Sequence, residues 1–557
     1  MRLRARLFTI TLLIFTFMVA ASQNKNYYIN PILSGFHPDP SICRVNDDYY
    51  LVNSTFAYFP GLPIYHSKDL VNWRLLGHTM NRNGQLDLMG AGVSRGLFAP
   101  AITYFNGTFY ITCTLVDKGG NFVITAKDPA GPWSDPVWLP QIDGIDPSLY
   151  IEEGAARIVF NSIPPDNKPL YDGHRTIRMY SFDPVLLKVT GEEKLLINGG
   201  TDLSKKPVWI EGPHIYKKDG WYYLLCAEGG TYDQHSVVIF KSRSLDGPYE
   251  PFSGNPLLTQ RHLDKRRKDP VSSTGHADLV ETPNGEWYAV FLGCRPYRDE
   301  QYNTGRETFM VPVEWKEGWP VLNPRSETVL FHYPAPGSAV LHDSNLNSGN
   351  FTYRDNFDES ILDERWMFLR NPLEKWHNLD RRGGISIKVR PETCSETGNP
   401  SFIGRRQQHL RAAAATALLF SATAENEKAG LVIFQNEHHF YFLCKSIQDK
   451  KPVIQLYKST ETAEMEFITG LQLPTGDDQI RLKIAAERES YSFYYSTGND
   501  HWKLLKSGLD AAFLSTAMAG GFVGCVFGLY AASLGKKSDL TARFNWFEYQ
   551  GNDEVYK

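Results

Sequence analysis

The sequence has little excess charge of either sign. Its 58 lysine and arginine residues are nearly balanced by 62 acidic residues, and the formal net charge is −4. Proteins that bind nucleic acid or another polyanion normally concentrate positive charge on one surface. The composition therefore gives no indication of a nucleic-acid partner.

Cysteine is also scarce. The chain has seven cysteines in 557 residues, scattered along its length, and no two of them form a CxxC pair. Most lie in apolar, strand-like runs, where a free cysteine behaves as a small hydrophobic residue. The pattern predicts neither a disulfide framework nor a zinc site.

Long apolar runs are confined to the N-terminus. Arg2, Arg4 and Arg6 precede the run "LFTITLLIFTFMVAA", and Val19 and Ala21 have the spacing of a small-residue cleavage site. We interpret residues 1–22 as a signal peptide, which predicts a secreted or periplasmic protein. The alternative is a membrane anchor, although a run of roughly 15 residues is short for a span. No later segment approaches 18 apolar residues, so we expect no membrane association of the mature form.

Sustained helical periodicity is missing as well, and a strand–turn–strand unit recurs instead. Its five copies are "DPSICRVNDDYYLV", "APAITYFNGTFYIT", "DPSLYIEEGAARIVF", "GPHIYKKDGWYYLL" and "HADLVETPNGEWYAV". The turns are typical of hairpins, and a third strand follows most copies, which gives about four strands per unit. Four-stranded units repeated around an axis form a β-propeller. We therefore predict an all-β chain with a five-bladed β-propeller over residues 28–336.

The C-terminal part has a different pattern. After a stretch rich in small and polar residues, short alternating strands such as "AGLVIFQNEHHFYFLC" continue to the end of the chain. Such alternation with frequent turns is typical of a β-sandwich. We predict a concanavalin-like jelly roll over residues 350–557.

Three carboxylates fall at the starts of the repeated units. The first strand of a propeller blade lines the central channel, and our alignment places Asp39, Asp146 and Glu211 at this point, with Ala99 and His276 in the other two blades. Clustered carboxylates repel each other, so one should have a raised pKa and hold a proton. An acid and a base in one pocket are what glycoside hydrolysis needs. The alternative is that they are ordinary turn residues.

Several motifs, in order, resemble glycoside hydrolase family 43, and within it the two-domain β-xylosidase and α-L-arabinofuranosidase branch. They include "SGFHPDPS", "DPSLY", "EGPHIY", "GHADLVET" and "GRETF". The resemblance runs from about residue 29 to the C-terminus. It implies hydrolysis with inversion, with Asp39 as general base, Glu211 as general acid and Asp146 orienting the acid and tuning its pKa.

The resemblance also implies residues that contact the sugar. Arg306 would hydrogen-bond its hydroxyls, Phe56 would form a wall, and Phe522 would reach the pocket from the sandwich and make cleavage exo. Phe98 departs from the family pattern, in which many members have tryptophan, and Ala101 replaces an acid. His276 matches a histidine that in some members helps to hold a hydrated calcium; no other cofactor is implied.

The leading hypothesis is a secreted exo-glycosidase that releases xylose or arabinofuranose from plant hemicellulose oligosaccharides, with β-D-xylosidase favoured over α-L-arabinofuranosidase. The competing class is a non-catalytic carbohydrate-binding propeller, which would have no need of three acids. A sandwich that itself binds polysaccharide is compatible with the first hypothesis. The sequence does not indicate an oligomeric state.

Overall fold

The computed structural model of the protein describes residues 26–557, except 338, 343–344, 381, 463, 475–478 and 499–500. The predicted signal peptide lies outside these residues. Over the described part of the chain, nearly all regular structure is β-strand. None of its helices is long and apolar enough to cross a membrane.

The N-terminal part forms five four-stranded antiparallel sheets arranged as propeller blades, which confirms the predicted fold class. The innermost strands contact one another in a ring around the axis. From the inside outwards, the strands are Ser41–Val45, Asp48–Val52, Gly61–Ser67 and Arg74–Met80 in blade one; Leu97–Phe105, Thr108–Leu115, Gly120–Ala126 and Val137–Trp138 in blade two; Gly144–Glu152, Ala155–Ser162, Thr176–Asp183 and Lys188–Asn198 in blade three; Glu211–Lys218, Trp221–Glu228, Ser236–Ser242 and Glu250–Pro251 in blade four; and Ser272–Glu281, Trp287–Cys294, Glu307–Lys316 and Trp319–Leu322 in blade five.

The N-terminal segment of the described chain closes the ring against blade five. Tyr27–Ile29 pairs with His332–Pro334, and Leu33 forms a bridge to Thr308 in the third strand of blade five. The Asn30 side chain donates to the Met310 carbonyl at 2.8 Å and accepts from the Met310 N–H at 2.9 Å. Residues far apart in sequence thus fix the first blade against the last.

The C-terminal part is a sandwich of two large antiparallel sheets. In hydrogen-bonded order, one contains His377–Leu379, Ile385–Lys388, Thr541–Gly551, Arg411–Leu419, Gln479–Glu487, Ser490–Thr497 and Lys503–Asp510, with Thr352–Asp355 also paired to Thr541–Gly551. The other contains Glu466–Gln472, Lys451–Lys458, His439–Gln448, Lys428–Asn436, Val526–Ala532, Ser401–Arg406 and Met367–Leu369. The short helices are Pro165–Asn167, Leu203–Lys205, Ala512–Leu514, Thr516–Ala519 and Glu554–Tyr556.

The two domains share a β-sheet. The short strand Tyr58–Phe59, inserted between the second and third strands of blade one, pairs with Met367–Leu369 at the edge of a sandwich sheet. A buried ion network reinforces this contact, because Arg295 in the propeller pairs with Glu307 at 2.6 Å and with Asp553 of the sandwich at 2.8 Å. Separating the domains would expose both an unpaired strand edge and buried charges, so we treat the two as one structural unit.

Candidate active site

The inner strands begin with an irregular backbone at the same point of each blade. The residues Asp39, Ala99, Asp146, Gly212 and His276 have φ values of 51°, 39°, 57°, 56° and 50°. In blades two to five the strand pairing shifts register at or next to these positions. The left-handed kink turns each of these positions out of the regular strand alternation, and four of the five carry a side chain.

Our alignment of Glu211 with Asp39 and Asp146 is wrong by one residue. The equivalent position in blade four is Gly212, whereas Glu211 pairs with Ala227 just before the register shift, as Ile145 pairs with Asn161 in blade three. Because both positions lie beside the bulge, the Glu211 carboxyl still lines the same cavity as the aspartates. The repeat therefore accounts for two of the three acids, and the third lies one residue earlier.

All eight site residues named from the sequence line one cavity of about 590 Å³. The carboxylates Asp39, Asp146 and Glu211 are each 6% exposed, so nearly all of their surface is removed from bulk water. The other members of the eight are Phe56, Phe98, His276, Arg306 and Phe522. Residues that are up to 483 positions apart in sequence (39 to 522) thus share one chamber.

Asp39 is held rigidly by a hydroxyl. The Ser54 hydroxyl donates to Asp39 Oδ2 at 2.6 Å, and the Ala99 N–H donates to Ser54 Oγ at 2.7 Å. Because Ser54 accepts from the backbone, its own proton is directed at the carboxylate. The second oxygen, Asp39 Oδ1, lies 3.6 Å from Arg306 Nη1 and 3.9 Å from His276 Nδ1. This leaves Oδ1 as the oxygen of Asp39 available to a water in the cavity.

Asp146 and Glu211 are shifted toward their protonated forms. Burial, followed by repulsion from Asp146 and Asp39, raises the pKa of Glu211 well above its ordinary value. Burial and the charge of Asp39 raise the pKa of Asp146 to about 7, although the Gly212 N–H donates to Asp146 Oδ2 at 3.1 Å and opposes that shift. Three carboxylates beside one arginine cannot all ionise. Glu211 is therefore the group that keeps its proton near neutral pH.

One wall of the cavity is aromatic. The Phe56 and Phe98 rings lie edge to face with centroids 5.2 Å apart, and Phe522 lies 6.0 Å from Phe56 and 5.6 Å from Phe98. The Arg306 guanidinium lies 5.0 Å from the Phe522 centroid. This wall presents apolar surface close to the charged groups, an arrangement suited to a sugar, which has an apolar C–H face and polar edges.

Phe522 enters the cavity from the sandwich because the backbones of the two domains come into contact there. Gly524 and Gly305 approach so closely that a Cβ on Gly524 would lie 2.5 Å from the Thr304 carbonyl carbon. The Phe522 N–H donates to Ser94 Oγ at 2.9 Å. The expectation that the segment "AGGFVGC" reaches the pocket matches this placement, and its glycines permit the close approach.

The sequence reasoning missed several lining residues. Trp209, at φ 51°, carries the Arg175 guanidinium 3.9 Å above its ring, and Tyr232 and Arg95 also line the cavity. Ser54 went unnoticed although it lies in "NSTF", close to the proposed Phe56 wall. No periodic signal marks these residues, because they come from loops whose path depends on neighbouring blades.

A fourth buried carboxylate, Asp278, lies close to the axis but not in the cavity. It accepts from Ser41 Oγ at 2.7 Å, the Ile42 N–H at 2.9 Å and the Tyr216 hydroxyl at 2.5 Å. Because these donors belong to blades one and four, Asp278 joins three inner strands. Its contacts are structural, in contrast to the cavity-facing Glu211, whose carboxyl makes no hydrogen bond within the described chain.

His276 faces a small axial cavity of about 10 Å³, enough for about one water, beneath the larger chamber. Burial lowers the pKa of His276 to about 4, so the imidazole is neutral and able to act as a ligand. Calcium takes six to eight oxygen ligands. Within the described ranges, however, no three His, Cys, Asp or Glu side chains are grouped to hold a metal. A cavity that holds about one water has no room for an ion with its own hydration shell, so the residues present do not fit a hydrated calcium.

A propeller whose axial chamber holds a carboxyl with a raised pKa close to a second carboxylate, an arginine and an aromatic wall contains the groups that glycoside hydrolysis requires. Comparison with known proteins agrees. The family "Glycosyl hydrolases family 43" matches residues 28–320, and "Beta xylosidase C-terminal Concanavalin A-like domain" matches residues 354–550. The chain belongs to glycoside hydrolase family 43, whose members typically need no cofactor.

Relatives match over nearly the whole chain. A "Xylosidase/arabinosidase" of Butyrivibrio fibrisolvens is 39% identical, covering 93% of this chain and 98% of the relative. The "Non-reducing end alpha-L-arabinofuranosidase BoGH43B" of Bacteroides ovatus is 36% identical, covering 97% and 98%. Among solved structures, a GH43_12 protein from the capybara gut metagenome is 42% identical, with a TM-score of 0.85 over 91% of this chain and 95% of that one.

Proposed function

We propose that the protein is an exo-acting, inverting glycosidase that removes single pentose units from the ends of hemicellulose oligosaccharides. The observation that carries this proposal is the meeting of Asp39, Asp146 and Glu211 in one chamber, which the rings of Phe56, Phe98 and Phe522 also line. The wall limits the chamber on one side, so a terminal sugar occupies it and the rest of the chain leaves by the opposite side. A binding protein would have no use for a buried, protonated Glu211.

The proposed reaction uses the two carboxyls at the same moment. Protonated Glu211 gives its proton to the glycosidic oxygen while the bond to the leaving sugar breaks. Asp39 Oδ1 takes a proton from the water that attacks the anomeric carbon from the opposite face, and inversion results. Asp146 repels negative charge on Glu211 and so keeps the acid protonated until the transition state. Arg306 orients the sugar hydroxyls.

Substrates with different leaving groups test the two roles separately. Each of Asp39→Asn and Glu211→Gln should lower kcat/KM on xylooligosaccharides at least about 10³-fold. With a dinitrophenyl glycoside, whose leaving group needs no proton, Glu211→Gln should recover much of its activity and Asp39→Asn should not. Equal deficits of each variant on both substrates would contradict the assignment. Proton NMR should detect the inverted anomer first.

We propose β-D-xylosyl units as the preferred substrate and α-L-arabinofuranosyl units as the second candidate. Both are supported by relatives, since the names of the Butyrivibrio and Bacteroides proteins specify one or both activities. Parallel measurement of kcat/KM on the two nitrophenyl glycosides, and then on arabinoxylan and arabinan fragments, distinguishes them. A ratio above 10 in favour of the arabinoside would overturn the preference.

We also propose that the protein acts outside the cytoplasm, on the basis of Arg2, Arg4, Arg6 and the apolar run after them. N-terminal sequencing of the protein recovered from its host should begin near residue 22. An intact Met1 would refute this. Because the residues around His276 do not fit a hydrated calcium, prolonged dialysis against EDTA should leave Tm unchanged and kcat/KM within about twofold at 25 °C.

A further inference from the structure

A second large groove lies at the far end of blade five. Its volume is about 720 Å³, larger than the 590 Å³ of the catalytic cavity. Trp315, in its lining, is nine residues beyond Arg306 along the third strand of the blade. At about 3.3 Å per residue this places the groove about 30 Å from the cavity. The two sites open at opposite ends of the propeller strands.

Two tryptophans lie on one face of the blade and line the groove. Glu281 pairs with Trp287, and Trp287 with Val313, so their side chains point to the same face, as does Trp315 two residues after Val313. The Trp287 and Trp315 rings are 5.4 Å apart and nearly perpendicular. The Trp287 indole N–H donates to Glu281 at 3.1 Å, which fixes the orientation of its ring.

The polar lining of the groove has no strong net charge. Three carboxylates, Glu281, Glu286 and Glu314, lie near Lys218 and Arg325, which leaves a formal charge of −1 (two positive and three negative groups). Glu314 is paired with Lys316 at 3.1 Å, and Glu281 holds Trp287. This balance disfavours polyanions as ligands of the groove.

The combination of indole rings, carboxylates and a near-neutral field fits a neutral sugar chain. Aromatic rings cover the apolar C–H faces of sugars, and carboxylates such as the exposed Glu286 in the lining accept from their hydroxyls. We propose that this groove is a second binding site, holding a neutral hemicellulose chain that it does not cleave; the identity of the polymer rests on the proposed function.

The test measures binding in a protein that cannot consume its ligand. In the Glu211→Gln background, titration with xylohexaose should reveal two sites, and adding Trp287→Ala should leave one. Retention by arabinoxylan in affinity electrophoresis should weaken at least about fivefold. The matched control is Trp138→Ala, which removes a tryptophan that is 40% exposed on blade two. It should leave retention unchanged.

A second variant covers the case in which Trp287→Ala does not fold. Leu330 is 42% exposed and lines the groove, so Leu330→Arg introduces a long charged side chain with little cost to the core. It should weaken retention as Trp287→Ala does, while hydrolysis of a nitrophenyl xyloside by the otherwise wild-type protein stays within twofold.

Each remaining outcome decides the question. One-site binding in the Glu211→Gln parent, or unchanged retention in both groove variants, overturns the second site. The second site is also overturned if the groove variants change the molar mass in light scattering and leave retention unchanged. The groove would then be a contact between copies of the chain. Failure of the proposed function is a separate result: the wild-type protein would then hydrolyse neither nitrophenyl glycoside, whatever the groove binds.

Discussion

Replacing Ser54 by alanine removes the hydroxyl that holds Asp39. In the native protein, this hydroxyl accepts from the Ala99 N–H at 2.7 Å and donates to Asp39 Oδ2 at 2.6 Å. The contact is buried, so water replaces it poorly. A hydrogen bond to a charged acceptor contributes about 1.5–3 kcal/mol. We therefore expect Ser54→Ala to destabilise the ionised, correctly oriented Asp39 by about this amount.

The effect should appear in the pH dependence of the reaction. At about 1.4 kcal/mol per pH unit, the acidic limb of the kcat/KM profile should move upward by about 1–2 units. On the plateau, kcat should fall about tenfold or more, because the carboxylate is free to rotate away from the attacking water. KM should change less than about threefold, since Arg306 and the aromatic wall are untouched.

The chain contains a close structural match for the control. Ser41 also donates to a buried carboxylate, Asp278, at 2.7 Å and accepts from a backbone N–H of blade two, that of Ile102, at 3.0 Å. Asp278 does not line the catalytic cavity. Ser41→Ala should therefore lose comparable stability without moving the acidic limb. If the profile of Ser54→Ala coincides with that of the wild-type protein, or if both serine variants shift it equally, the role assigned to Ser54 is wrong.

Three further predictions concern stability, docking and sugar binding. Glu211→Gln should raise Tm by roughly 1–4 °C at pH 8 and have almost no effect at pH 4. Burial raises the pKa of Glu211 in the folded protein, so above about pH 4.5 the unfolded chain gains stability by ionising this group. A difference in Tm that does not depend on pH would contradict this. Gly524→Ala should lower the free energy of unfolding in denaturant by about 1–3 kcal/mol and raise KM by displacing Phe522, because its Cβ would lie 2.5 Å from Thr304. The control is Gly398→Ala, whose Cβ would lie 3.9 Å from the nearest atom. It should change neither the stability nor KM. Arg306→Lys should keep the positive charge near Asp39 but lose the planar guanidinium fork. KM should therefore rise about tenfold, with kcat within threefold of the wild-type value. A selective loss of kcat would instead indicate that Arg306 acts mainly in the transition state.

The fold could be predicted from local sequence because the propeller is a repeat. Each blade contains a recognisable hairpin turn between two strands with alternating apolar residues. Five such copies in one chain predict a five-bladed propeller. The same repeat located Asp39 and Asp146, whose aspartate–proline pairs mark the kinked start of an inner strand. The alignment of the repeats placed Glu211 one residue away from its true position. The residues of "EGPHIY" do not indicate the register shift beside Gly212, which the structure shows.

Sequence alone thus determined the all-β class, the five blades, the C-terminal sandwich and the carboxylates from which the chemistry follows. Only the tertiary structure decided how they act together: that Ser54 and Ala99 from adjacent blades orient Asp39, that Glu211 enters from beside the bulge, and that Gly305 and Gly524 admit Phe522 from the other domain. These contacts join segments up to hundreds of residues apart. Burial and mutual repulsion, which set the protonation of Glu211 and Asp146, exist only after the chain has brought those groups into one chamber.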